Sequence, residues 1–173
     1  NPEVGSLACL RQLLETAQYL GLKRIMDLVV NHTSDQHPWF KEARKSKDNP
    51  YRDYYLWQAA SPDKMPNNWK SFQETSAWTY DEKTQEAYFH IFDAKQPDLN
   101  WKNPRLRQEI YQMIAYWLDF GLDGFRLDAI SHLQKEPWDF QIKSWEGDGP
   151  WAPFMNVKGI ESYMTEIKAI FDH

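Results

Sequence analysis

Asp123-Gly-Phe-Arg-Leu-Asp-Ala-Ile130 is the stretch on which the fold turns. It follows a helical pattern that stops at Gly121, and it reads as a short buried strand of a parallel sheet. Alternate strand residues share a face, with i and i+2 about 6.6 Å apart. Gly124, Arg126 and Asp128 therefore lie on one face, and Phe125 and Leu127 on the other. The apolar face must meet helices. The charged face then points toward the inside of a curved sheet.

A matching strand lies upstream, in Arg24-Ile-Met-Asp-Leu-Val-Val-Asn-His32. Asp27 and Val29 share its inner face, Met26, Leu28 and Val30 its outer face, and His32 sits just past its end. Residues 7–20 before it form an amphipathic helix, with Leu7, Leu10, Leu13, Leu14, Ala17 and Leu20 in one stripe. Ser6 is its predicted cap and Gly21 its stop. Asn103-Pro104 opens a second helix as cap and first position, with Leu106, Ile110, Met113, Ile114, Trp117 and Leu118 along its apolar side. A third helix is predicted over 160–171. Between the first strand and the second helix, residues 33–101 are polar and rich in Pro, Asn and Trp. A structureless loop of that length is improbable. Trp39 to Arg44 reads as a short helix, and Ala77 to Tyr80 with Ala87 to Phe92 as hairpin arms.

The expected fold class is α/β: part of a (β/α)8 barrel, its third and fourth strands with flanking helices, plus an inserted irregular α+β subdomain. The predicted division is 1–32 barrel segment, 33–101 insert and 102–173 barrel segment. A whole barrel takes about 250 residues, so 173 residues beginning at Asn1-Pro2 read as an excised piece.

Composition narrows the function classes. A net charge of −5 argues against nucleic acid or an anionic membrane as partner. No apolar run is long enough to span a bilayer. The lone Cys9 allows no intrachain disulfide, reads as an ordinary packed thiol, and fits a cytoplasmic location. Trp, Tyr and Phe make up 16% of the chain, and most are expected in the core, though flat rings also suit sugar faces.

The inner strand faces bring Asp27, Arg126 and Asp128 together near the C-terminal rim, where the active sites of barrels lie. Inward charges need partners. Asp27 is the expected cross-strand partner of Arg126, which also keeps Asp128 ionised. Asp27 orients, whereas Asp128 at the rim is the candidate reacting group.

Asp27-Leu-Val-Val-Asn-His32 and Gly124-Phe-Arg-Leu-Asp-Ala-Ile-Ser-His132 resemble the first and second signatures of the α-amylase family of glycoside hydrolases. Gln96-Pro-Asp-Leu-Asn100 resembles the motif of its inserted domain. With Asn31-His-Thr-Ser-Asp-Gln-His-Pro-Trp-Phe40 and Tyr51-Arg-Asp-Tyr-Tyr-Leu-Trp57, the pattern is most similar to the oligo-1,6-glucosidase and α-glucosidase branch. Trehalose-phosphate hydrolases and trehalose synthases share much of it. The resemblance implies Asp128 as nucleophile, Arg126 as its positioner, and His32 as a sugar hydrogen-bonding group. It makes Phe92 a sugar platform or a core residue, and His132 an outer-subsite or structural residue. Asn31, Asp98 and Asn100 are expected as structural support. Phe72-Gln-Glu-Thr-Ser-Ala-Trp78 departs from the branch pattern, with its Phe displaced and its Gly absent. Ala129, where the α-1,6-preferring branch tends to carry Val, leaves room beside the scissile bond and leans toward α-1,4 or mixed linkage.

No cofactor is expected. Calcium occurs in many relatives, but one oxygen donor, Asn31, does not make a site. The expected partners are an oligosaccharide and the remainder of the barrel. A second function class is a non-catalytic, amylase-like accessory subunit of a transporter. Such proteins tend to lose the nucleophile and the His after the first strand, and both Asp128 and His32 are present. A carbohydrate-binding module fits poorly with buried parallel strands.

Retaining glycosidases need a second carboxyl about 5–5.5 Å from the nucleophile. In this family it is a Glu on the next strand, and Glu161 and Glu166 on the last helix are poor substitutes. The 173-residue chain alone should therefore not hydrolyse a nitrophenyl α-glucoside, because leaving-group protonation is worth about 10²–10⁴-fold. Turnover that disappears in Asp128→Asn would refute this.

Overall fold

The computed structural model describes residues 5–145 and 149–172. Helix α1 (Leu7–Tyr19) leads into strand β1 (Ile25–Val29). A long excursion holds α2 (Pro38–Ala43), a 3-10 turn (Arg52–Tyr54), and strands β2 (Trp57–Ala59), β3 (Trp78–Asp81) and β4 (Glu86–Phe89). Helix α3 (Pro104–Phe120), strand β5 (Gly124–Asp128) and helix α4 (Ile160–Phe171) follow. β1 and β5 pair in parallel, with Asp27 opposite Arg126 and Val29 opposite Asp128. β2, β4 and β3 form a separate antiparallel sheet in that order.

The helix signals act as local chemistry requires. The Ser6 hydroxyl accepts from the Cys9 amide, capping α1. Asn103 accepts from the Arg105 amide, with Pro104 in the first turn of α3. Gly121 ends α3 at φ 119°, a conformation that favours glycine. Arg24 then ties the two strands at their entrance: its amide donates to Asp123 Oδ2 at 2.8 Å, and its guanidinium to the Gly121 carbonyl at 2.9 Å.

One core lies between the parallel strands, α3, α4 and the base of the excursion, joining Leu28, Val30, Phe40, Tyr54, Trp101, Leu106 and Ile114. A second forms around Trp69, Trp78, Phe89 and Phe154. The expectation that most aromatics serve packing therefore holds for these rings.

Several expectations need correction. The hairpin arms are Trp78–Asp81 and Glu86–Phe89, so Phe92 lies beyond the sheet. Strand β2 had no signal of its own; it is short, and it is held by pairing Trp57 with Tyr88. Of the α1 stripe only Leu14 is buried, while Leu7, Leu13 and Leu20 stay exposed. The stripe is amphipathic, but no described element covers its outer part. Cys9 on the same helix is exposed rather than packed.

Trp101 joins the excursion to the parallel strands. Its ring is 1% exposed, and its Nε1 donates to the Val30 carbonyl at 2.8 Å. Trp101→Ala should cost about 3–5 kcal/mol, read by denaturant unfolding of the intact protein. A loss below about 1 kcal/mol, typical of surface positions, would contradict the assignment of this ring to the core.

Candidate functional site

The parallel register brings the inner-face charges together at the C-terminal ends of β1 and β5. Arg126 Nη1 lies 2.7 Å from Asp27 Oδ1 and 2.9 Å from Asp128 Oδ1. The hydrogen bond to Asp27 is the main cause that raises the Arg126 pKa, and the charge of Asp128 adds to it. These groups are partly exposed in this chain. The Arg126, Asp27 and Asp128 side chains are 63%, 49% and 32% exposed, and among the described residues β1 and β5 pair with each other alone. Just after Asp128 the chain turns sharply. Ala129 adopts φ 51°, in the left-handed region, and opens a 3-10 turn over Ile130–His132. A non-glycine residue in that region carries strain of about 1–3 kcal/mol, and here the chain leaves the strand just after Asp128.

Past the end of β1, the Gln96-Pro-Asp-Leu-Asn100 segment runs antiparallel to the chain. The Thr33 amide donates to Pro97 O at 3.2 Å and the Leu99 amide to Asn31 O at 2.8 Å, with His32 bridged to Asp98. This fixes His32 beside Gln96, whose Nε2 lies 3.1 Å from His32 Nε2. The Phe92 ring meets the His32 ring edge-on at 5.0 Å. Burial is the main cause lowering the His32 pKa, and the Asp98 and Asp128 carboxylates pull it upward.

Phe92 begins an aromatic row. It stacks on Phe72 at 5.2 Å, which in turn lies 4.5 Å from Trp151. The displaced Phe72 thus keeps an aromatic contact behind Phe92. His132 is buried against this row, and its Nδ1 lies 2.8 Å from the Phe154 carbonyl. Burial lowers its pKa too.

Beneath the site is a residue the sequence did not single out. The ammonium of Lys135, 4% exposed, lies 2.8 Å from Asp98 Oδ2 and 3.1 Å from Asn31 Oδ1, and it also donates to the His132 carbonyl. Asp98 Oδ1 accepts from the Ile91 amide at 3.1 Å. Asn100 donates to Asp53 O at 3.0 Å and accepts from the Lys102 amide. The oxygens that converge here surround an ammonium supplied by the chain. Among the described residues, no group of three or more His, Cys, Asp or Glu is placed to hold a metal ion. Glu166 is committed to Arg107 and Tyr111 between α3 and α4, and Glu161 to the Gly159 amide. A groove of about 580 Å³ borders His32, Ser34, His37 and Trp39, but Asp128 and Arg126 are not among its walls.

Comparison with known proteins places the chain in a family. The model of the α-amylase catalytic domain matches residues 1–171. This chain belongs to the α-amylase family. It is 50% identical over 169 residues to an oligo-1,6-glucosidase of Halalkalibacterium halodurans, covering 95% of this chain and 30% of that protein. It is 57% identical over 135 residues to an oligo-1,6-glucosidase of Parageobacillus thermoglucosidasius, covering 78% and 24%. The crystal structure of trehalose-6-phosphate hydrolase from Bacillus licheniformis superposes with a TM-score of 0.90 at 40% identity, covering 97% of this chain and 30% of that one. The chain thus spans less than a third of the length of these family members.

The Lys135–Asp98 pair makes a direct test. Lys135→Met leaves a buried carboxylate without its cation and should cost about 3–5 kcal/mol in the intact family member. Lys135→Met with Asp98→Asn should recover part of that loss, since contacting residues couple by about 0.5–3 kcal/mol. Purely additive losses in thermal or denaturant unfolding would show that the two groups do not form one unit.

Proposed function

We propose that the protein carrying this chain is a retaining α-glucosidase acting on short oligosaccharides, of oligo-1,6-glucosidase or α-1,4-glucosidase type. The observation that carries the reading is the Arg126-bridged Asp128 at the strand end, with His32 alongside. A glycosidase nucleophile must be ionised and aimed at the sugar's anomeric carbon. Arg126 meets both needs as positioner and counter-ion, and Asp27 holds Arg126 from the other side.

In this reading, β1 and β5 are the third and fourth strands of a (β/α)8 barrel. Segments 1–32 and 102–173 belong to the barrel, and 33–101 is the inserted subdomain. Asp128 attacks the anomeric carbon as the leaving oxygen takes a proton from a Glu on the following strand. Water then releases the sugar from Asp128. His32 hydrogen-bonds the sugar at the cleavage position, and Phe92 offers it an apolar surface. The buried ring of His132, held by Phe154 O, favours a structural role over an outer subsite. Asn31, Asp98 and Asn100 brace the insert. The oligo-1,6-glucosidase names of two relatives support this substrate class, and the trehalose-6-phosphate hydrolase neighbour keeps a phosphorylated disaccharide as second reading.

The deciding experiment is Asp128→Asn in the intact protein. It should lower turnover of isomaltose, maltose and trehalose 6-phosphate alike, by about 10⁴-fold or more, with thermal stability close to wild type. The wild-type ranking of those substrates chooses between the readings. An active Asp128→Asn protein would remove the basis of the assignment.

A further inference from the structure

We propose that Gln96 is a positioning residue: its side-chain amide donates to Nε2 of His32 and holds the ring neutral, with its proton on Nδ1. The orientation of each amide beside the ring is set by its other end. Gln96 Oε1 accepts from the Asp93 amide at 3.3 Å, so the NH2 group is the end facing His32 Nε2 at 3.1 Å. Asn31 Oδ1 accepts from the Lys135 ammonium at 3.1 Å, so its NH2 group is the end lying 3.4 Å from His32 Nδ1. Both ring nitrogens therefore face N–H donors.

An imidazolium carries N–H on both nitrogens and would oppose a donor on each side. A neutral ring removes one of these conflicts, and removing the closer one places the lone pair on Nε2. The charges around the ring are mixed. Asp98, from the bridged segment alongside, and Asp128, from β5, favour the imidazolium, while Lys135, from the loop after β5, opposes it. Phe92 contributes an uncharged ring at 5.0 Å. Burial is the largest influence and favours the neutral ring, and an amide donor at Nε2 acts in the same direction against the two carboxylates. Asp93 is itself held in place, its Oδ2 accepting from Gln73 and its Oδ1 from the Lys95 amide. Gln96 thus acts through His32 by fixing its ring, and the link to catalysis rests on the proposed place of His32 beside the sugar.

The test is nitrogen-15 NMR of the intact protein labelled at histidine, with the His32 signals assigned by their loss in His32→Gln. Wild type should show His32 protonated on Nδ1 at neutral pH. Gln96→Met, which keeps the bulk without the donor, should shift the ring toward the Nε2-protonated tautomer. Gln96→Glu replaces the donor by a carboxylate, which favours the charged ring. The His32 titration midpoint should rise by about 1–3 pH units, and the acid limb of kcat/KM should rise with it. A wild-type proton on Nε2 would overturn the proposal. So would a folded Gln96→Glu protein in which the His32 midpoint does not move. The NMR readout needs no turnover: a protein that passes it while Asp128→Asn stays active would fail the glucosidase reading and keep this one.

Discussion

The buried ammonium of Lys135 is the constraint on which the rest of the structure depends. A cation at 4% exposure pays a desolvation cost of several kcal/mol, and burial lowers its pKa accordingly. Asp98, whose charge opposes that lowering, surrounds it together with Asn31 and the His132 carbonyl. Those partners come from separate places in the chain: the end of β1, the return of the excursion, and the turn after β5. None can move without leaving a buried charge partly unpaired. An apolar residue at the same place could pack as well, but it would not specify which segments meet.

This knot sets the neighbours of His32 and Phe92. Asn31, anchored from below, presents its NH2 group to His32. Asp98, anchored likewise, accepts from the Ile91 amide and so fixes the turn that carries Phe92. His132, whose carbonyl meets the ammonium, uses its ring to hold Phe154. The excursion is clamped at its far side too. Asn67 and Asn68 donate to the Trp138 and Ile142 carbonyls, and Trp69 Nε1 donates to Phe140 O at 2.8 Å. Its hairpin is braced from within by buried Arg52, which reaches Glu86, Thr84 and the Ala43 carbonyl. Residues 33–101 are ordered by polar contacts at both ends, although their sequence lacks the periodicity of the flanking elements.

What the sequence made legible was what depends on nearest neighbours along the chain. Strand alternation put Asp27, Arg126 and Asp128 on one face, and the register places Asp27 opposite Arg126. Ser6, Asn103 and Gly121 marked helix ends because capping is local. What stayed hidden depends on distant partners. Lys135 looks like a solvent-exposed lysine until Asp98 and Asn31 fold around it. β2 is a strand only because β4 pairs with it. The α1 stripe correctly signalled amphipathicity, yet burial of Leu7, Leu13 and Leu20 needs a surface to meet, and periodicity cannot say whether one is present. The same limit misplaced Cys9.

The half-exposed state of Arg126 changes how its charges should be weighed. Exposed ion pairs are screened and contribute little to stability, so within this chain the Arg126 pairs add little to the fold. Two carboxylates and one guanidinium leave the cluster with a single net negative charge. In water that charge is weak. Enclosed by further walls, as the glucosidase reading requires, it would act at lower effective dielectric and across a short distance. The transition state of glycoside cleavage carries developing positive charge on the sugar ring. A cluster fully neutralised by a second cation would lose that complementarity, and one without Arg126 would set two anions side by side. Sharing one guanidinium nitrogen between Asp27 and Asp128 avoids both outcomes, and in the glucosidase reading the site keeps the sign the reaction needs.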